Sequence, residues 1–305
     1  MHLTTMRARS LLFAAGLIPA FVASALTQNS AQPPAPPRTE AEKSALLDRV
    51  IANEKQSDEA MYSFERIERV ESFKKPGDPR TEEIKVSRVI PAGTGLDHIP
   101  IGPDGKPTDP GAYHEELVKL ERTLSWAADD GHAQREAYEK VAKRQKEREE
   151  LVDATRTAFL YTLVSTETRA GRILFKYSMA PNPAFKPTSR ATSIFEKVHG
   201  FVWIDPEAGQ IARVEGEVSE DISIGLFLAK IYKGSHFMQE RYEVLPGVWM
   251  PTYSQYDFDG RRFFSTISVH ERTFYSQYHR IGPPKEALAI IRAELSKPDA
   301  SVSDP

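Results

Sequence analysis

The chain has 305 residues, 40% of them hydrophobic and 27% charged, with a formal net charge of -3. That supplies apolar material for one large core or two small ones, and the mild acidity without a dense basic patch excludes a nucleic-acid surface. No cysteine occurs, which excludes disulfides and the lipid-modified cysteine that tethers a bacterial lipoprotein.

The first 25 residues read as an address. Arg7 and Arg9 precede an apolar run from Ser10 to Val22, and Ala23-Ser-Ala25 supplies small residues at a cleavage site. Gly16 and Pro19 interrupt the run, which is short for a span of about 20 residues, so a signal peptide is expected rather than an anchor. Its removal takes Arg7 and Arg9 but no acid, shifting the formal charge from -3 to -5. In a Gram-negative host the mature chain is expected to be soluble and periplasmic, with no membrane span.

Residues 26–38 form a proline-rich linker around Gln32-Pro-Pro-Ala-Pro-Pro37. Thr39 and Glu42 then make a capping box, and Ala45, Leu46, Val50 and Ile51 predict one face of a helix to about Lys55. That helix either packs on a sheet or closes over a cavity mouth.

Met61 to Phe73 and Glu83 to Ile90 read as paired strands, with Lys75-Pro-Gly-Asp-Pro79 between them. Pro100 within Leu96 to Ile101, and Pro103 in the turn after it, suit a sheet edge. From Tyr113 to Thr157 the pattern turns helical. Leu117, Leu120, Leu124 and Trp126 are expected as an apolar row, and Arg135 to Glu150 is a run of mixed charge with Glu136/Lys140, Glu139/Lys143 and Lys146/Glu150 one turn apart. It reads as a solvated face or as a docking arm for an envelope partner.

Phe159 to Ser165 and Arg172 to Ser178 predict a hairpin with Ile173, Phe175 and Tyr177 on one face. The central hairpin is Val198 to Asp205, a turn at Asp205-Pro-Glu-Ala-Gly209, and Gln210 to Val218. Strict alternation along its second strand puts Ala212, Val214, Gly216 and Val218 on one side. The apolar run Leu226 to Tyr232 is a buried connector or a flap at a cavity entrance. Phe237 to Val244, Trp249 to Phe258 and Phe263 to Tyr275 complete the sheet, with turns at Leu245-Pro-Gly-Val248 and Asp259-Gly260. A last amphipathic helix, Lys285 to Leu295, carries Leu288, Ile291 and Leu295 in phase.

Chemistry-bearing patterns are sparse. His98, His114 and His132 lack zinc spacing, and Asp257-Phe-Asp-Gly260 lacks the distal glutamate of a calcium loop. No nucleophile elbow, Walker loop or dinucleotide fingerprint occurs. His199 lies near Glu196, and His270 beside Glu271 has its neighbour on the opposite strand face. No cofactor and no metal are expected, and the chain does not read as an enzyme, with a hydrolase of unfamiliar motif left as the third reading.

The phrase Gly200-Phe-Val-Trp-Ile-Asp-Pro-Glu207 followed by Gln210-Ile-Ala-Arg-Val-Glu215, with the strands at Arg241 to Glu243 and Trp249-Met-Pro-Thr252, resembles the LolA-like family of periplasmic outer-membrane lipoprotein-sorting proteins. The likeness runs from about Ala41 to Tyr278, and the charged stretch Tyr113 to Thr157 is an addition to the family plan. It implies an α+β fold in which a curved antiparallel sheet forms a half-open β-barrel covered by helices, with a charged helical insertion at 113–157. The barrel domain would span 39–282, and 283–305 would be a C-terminal helix and polar tail. It further implies a hydrophobic cavity for acyl chains, the ligand or partner being a lipid or a lipoprotein's acyl groups. Small inward residues, Ala212 and Gly216, are expected to leave its volume free. Trp203, Val214, Val218, Phe227, Leu228 and Tyr242 are the residues expected to line it. The alternative function is envelope interaction or sensing through the charged helices.

Overall fold

The computed structural model describes residues 34–224, 229–263 and 265–297. The leader and Phe227 and Leu228 of the apolar run lie outside the described residues.

Helix α1 (Glu40–Ala60) begins at the capping box. The Thr39 hydroxyl accepts from the Glu42 amide at 3.1 Å, and the Glu42 carboxylate accepts from the Thr39 amide at 3.2 Å. The helix runs more than a turn past Lys55 and buries Leu46, Leu47, Val50 and Ser57. Strands β1 (Phe64–Phe73), β2 (Thr81–Pro91) and β3 (Leu96–Pro100) form a meander. Two helices follow, α2 (Pro110–Ala127) and α3 (His132–Ala158). Then come β4 (Phe159–Arg169), β5 (Arg172–Pro181), β6 (Val198–Asp205) and β7 (Gln210–Val218). The short β8 (Ile222–Ile224) and β9 (Ala229–Ile231) precede three long strands, β10 (His236–Leu245), β11 (Val248–Arg262) and β12 (Ser265–Arg280). Helix α4 (Pro284–Leu295) is last.

The strands make one twelve-stranded antiparallel sheet in the order β3-β2-β1-β12-β11-β10-β7-β6-β5-β4, with β8 and β9 attached through β11. Because β3 and β4 end the order without pairing to each other, the curved sheet stays half-open. The fold is the α+β class that the sequence predicts.

Two apolar clusters hold the helices. Leu46, Leu47 and Val50 of α1 pack on Phe175, Tyr177, Val202 and Ile204. At the β2–β3 end, α2 and α4 share a core in which Leu117, Leu120, Leu124, Leu288 and Ile291 meet Ile90 and Ile99. Each such side chain contributes roughly 1.5–3 kcal/mol on burial. Trp126 departs from the expected row and is 39% exposed, because two residues past Leu124 is more than half a helical turn.

Three local expectations are corrected. The Cα register pairs Trp203 with Arg213 but Ile204 with Ile211, so Ala212 is an extra, bulged residue. The bulge returns Ile211 to the face of Val202, Ile204 and Val214, while Ala212 joins Trp203, Leu174 and Trp249 on the other face. Strict alternation therefore fails at Ala212. Gly216 leaves no free volume either: an added Cβ would lie 2.5 Å from the Phe237 ring, which already fills that space. Asp259-Gly260 is not a turn, since β11 continues to Arg262 and pairs Gly260 with both Ile267 and Ile231. Glycine suits that position because β9 passes so close that a Cβ would collide with the Lys230 carbonyl.

A candidate apolar ligand cavity

Leu47, Val50, Ile51 and Glu54 share one stripe of α1, at positions i, i+3, i+4 and i+7. Opposite them stand Val202 and Ile204 of β6 and, through the bulge, Ile211 of β7. Val152, Thr155 and Arg156 of α3 close the third side, and Tyr161 of β4 completes the wall. These residues enclose a cavity of about 150 Å³ whose lining is mainly aliphatic.

Its outer rim is charged. The Arg156 Nε donates to Asp48 at 2.7 Å, and its Nη2 donates to the Ser44 hydroxyl. Lys55 pairs with Asp153 at 2.6 Å, and Arg148 reaches Asp58 at 3.2 Å and the Tyr62 hydroxyl at 3.0 Å. The Tyr161 hydroxyl donates to the Thr155 carbonyl at 3.0 Å, and burial pushes its pKa up to about 12. That phenol stays neutral at physiological pH and acts as a donor, not a base.

The inner end is also polar. Glu54 receives the Arg241 Nη1 at 2.6 Å, and the Arg241 Nε donates to Gln239 at 3.0 Å. Further along the sheet, Arg66 is 4% exposed, binds Glu68 at 2.7 Å, and keeps a buried Nη1 without a hydrogen-bond partner among the described residues. The Tyr278 hydroxyl donates to the Pro251 carbonyl at 2.6 Å, and burial raises its pKa well above the ordinary tyrosine value. Arginines, glutamates and tyrosines thus make a polar belt across β10, β11, β12 and β1.

Helix α3 is loosely founded. Of its 27 residues only Gln134 and Ala158 are buried. Its charged run keeps Glu136–Lys140 at 2.8 Å, while Glu139/Lys143 and Lys146/Glu150 form no ion pair. The ion pairs to α1 described above, with Val152 and its neighbours, hold its C-terminal half across the cavity, and the Tyr138 hydroxyl, donating to the Ala127 carbonyl at 2.9 Å, fastens its N-terminal half to α2.

The residues expected to line a cavity are dispersed. Val214 is partly buried against the cluster under α1, and Val218 packs with Val198 and Ile222. Trp203 lies on the opposite face, its Nε1 donating to Glu167 at 2.9 Å and its ring flanked by Lys176 at 4.6 Å and Arg213 at 4.9 Å. Tyr242, partly exposed, stacks on Trp249 with centroids 6.4 Å apart. Phe227 and Leu228 lie outside the described residues. Of the cavity-lining stripe of α1, helical spacing predicted Val50 and Ile51 but not Leu47 and Glu54, and Val152, Thr155 and Arg156 were hidden by the charged run around them.

A second cluster sits on β11 and β12. Asp257 receives the Arg272 guanidinium at 3.1 and 2.9 Å and the Gln255 amide at 2.7 Å. Burial alone would raise this carboxyl, but the Gln255 and Arg272 hydrogen bonds outweigh it and hold its pKa below the ordinary value. His270 Nδ1 stands 3.3 Å from Asp257 without forming a hydrogen bond, and its Nε2 is 3.6 Å from Asp259. Cross-strand pairing, invisible from the His270–Glu271 adjacency, brings this histidine to an aspartate. The carboxylate is committed to its partners, which makes the cluster a structural ion pair. Among the described residues no group of three or more His, Asp or Glu is arranged to hold a metal.

No protein-family model and no curated protein matches the chain. Two solved structures are similar to it. One is a DUF1329 family protein from Desulfovibrio piger, 12% identical, covering 77% of this chain and 92% of its own with a TM-score of 0.29. The other is a provisionally named outer membrane lipoprotein-sorting protein domain from Vibrio parahaemolyticus, 9% identical, covering 81% of this chain and 99% of its own with a TM-score of 0.29. The second bears the description that the sequence resemblance suggests; at such TM-scores neither likeness carries an argument about this chain. No helix among the described residues is long and apolar enough to cross a membrane.

Proposed function

We propose that the chain is an exported, non-enzymatic binding protein for an apolar ligand of the acyl-chain class, held between α1, α3 and the β6–β7 hairpin. The observation that carries this reading is the aliphatic cavity of about 150 Å³ beneath a helix with two buried residues. A cavity of that size accepts a benzene-sized guest against its aliphatic walls. It therefore suits a few methylenes of a tail, each gaining ~0.8 kcal/mol on burial. A longer tail requires α3 to swing away from α1, which its sparse burial favours. Delivery of lipoprotein acyl chains, the finer reading, rests on the sequence resemblance, as does a periplasmic address on the leader.

Native mass spectrometry of protein isolated from its own periplasm tests this, alongside titration with a fluorescent fatty acid. A lipid adduct that disappears on unfolding, together with saturable uptake, is the expected result. A clean unliganded mass with no uptake overturns it.

One observation favours a second reading. The long, mixed-charge outer surface of α3 suits an envelope protein as a docking partner, and capture that survives deletion of the cavity by Val202→Phe would support that alternative.

A further inference from the structure

The two edges of the sheet are built differently. β3 is five residues long and carries Asp97, His98 and Pro100, features that discourage pairing with another chain. β4 is eleven residues long, and from Phe159 to Thr166 it has no charge, no proline and no glycine. Three of its large apolar side chains are exposed: Leu160 at 51%, Leu163 at 38% and Val164 at 54%. A strand of this kind, guarded only by the Lys43 side chain at Tyr161 among the described residues, is a template for strand addition.

The backbone shows which groups are free. The Ala158 carbonyl is turned to the β5 side, where the Asn182 amide donates to it at 2.8 Å. The Tyr161 carbonyl points the other way, accepting from the Lys43 Nζ at 3.3 Å. Alternation then leaves the amides and carbonyls of Phe159, Tyr161 and Leu163 facing outward. Tyr161 and Leu163 lie on the helix-covered face, opposite Met179 and Tyr177, whereas Leu160 and Thr162 lie on the other. The register with β5 slips at Val164, which ends the regular stretch.

The geometry points to a second copy of this chain as the occupant of that edge, pairing antiparallel about a two-fold axis at Thr162. This register sets Tyr161 opposite Leu163 of the second copy, joining the outward backbone groups of both. It sets Thr162 opposite itself and brings Leu160 level with Val164 of the second copy, where the slip begins, so that the two most exposed apolar side chains of the strand come to the seam. No charge falls within residues 159–165, so the strand meets its own copy without like-charge repulsion. Closed two-fold pairing uses one self-complementary patch on both subunits. Lys43, also paired with Glu40 at 2.8 Å, is displaced from the Tyr161 carbonyl when the strands join. The inference is independent of any ligand in the cavity.

Because the chain has no cysteine, single-cysteine variants read the register directly. Opposed residues at the axis, in a non-hydrogen-bonded pair, have Cα atoms about 4.5 Å apart, within the disulfide range of about 4.4–6.8 Å. Thr162→Cys is therefore expected to give a cross-linked dimer under mild oxidation. Leu160→Cys is expected to stay uncross-linked, its copies lying about 14 Å apart along the strand. Sedimentation equilibrium on the purified protein, from micromolar to near-millimolar, should show a monomer–dimer equilibrium. Leu160→Lys with Val164→Lys should abolish it, Leu160→Lys with Val164→Glu should restore it, and Lys43→Ala should strengthen it. A monomer throughout the range, equal cross-linking at both cysteine positions, or a dimer indifferent to the double lysine variant would each overturn the proposal. Circular dichroism confirms that these surface variants remain folded before either measurement is read.

Discussion

Arg241 of β10 and Glu54 of α1 meet at 2.6 Å with their side chains only 10% and 16% exposed, tying the helix to the sheet at the inner end of the cavity. Arg241 also donates to Gln239, so its guanidinium is satisfied from two elements. Replacing Glu54 by alanine leaves a nearly buried cation unpaired, and such a loss costs about 3–5 kcal/mol. A fall in the urea midpoint at unchanged slope checks this. Glu54→Gln, which keeps an acceptor, should cost less.

Filling the cavity separates ligand binding from folding. Val202→Phe introduces a ring from β6 into the space between α1 and α3. Fatty-acid uptake should fall more than tenfold, while stability changes by no more than the ~1–3 kcal/mol typical of overpacking. Equal loss of uptake and of folded protein would instead mark the region as plain core.

Helix α3 should open before the rest of the protein does. Exposed ion pairs are worth about 0–1 kcal/mol each, so Arg156→Ala should barely move the melting temperature. Amide hydrogen exchange within α3 should nevertheless accelerate, because the Asp48 and Ser44 contacts are among the few that fasten it. Raising the salt concentration should have the same local effect on the wild type.

The Asp257 cluster gives a signed pH dependence. Its carboxyl titrates below its unfolded value, which is about 3.9. The stability it contributes is therefore fully present above that value and is lost as pH falls through the lower, folded value. Asp257→Asn should cost about 1.5–3 kcal/mol at neutral pH, as for a hydrogen bond to a charged group. The gap between variant and wild type, followed by denaturant titration, should close below about pH 4.

The elements that the sequence discloses are those whose causes are local. The Thr39–Glu42 capping box, the Pro206–Gly209 turn and the leucine row of α2 each act within a few residues. What escaped it depends on residues far apart in the chain. The bulge at Ala212 exists only relative to β6, and the ring that occupies the space beside Gly216 comes from Phe237 on a third strand. Likewise, Gly260 reads as a turn until β9 is seen to press against it. The cavity was partly legible: the helical spacing of α1 gave Val50 and Ile51 but not Leu47 and Glu54, whereas three wall residues of α3 sit in a segment whose composition signals solvent. The placing of Trp203 on the face away from α1 was not legible for the same reason, since an aromatic residue beside two aliphatic ones gives no sign of which side holds the helices.

The polar belt has a consequence for any guest of the cavity. A hydrocarbon tail sliding inward along α1 reaches Glu54 and Arg241 and finds, beyond them, Arg66, Glu68 and Tyr278 where another greasy wall would be needed. Those groups act as a stop. On the acyl-chain function proposed above, the closed compartment would work as a ruler, admitting the end of a chain and stopping surplus length unless α3 swings away, so that affinity should plateau as successive carbons are added.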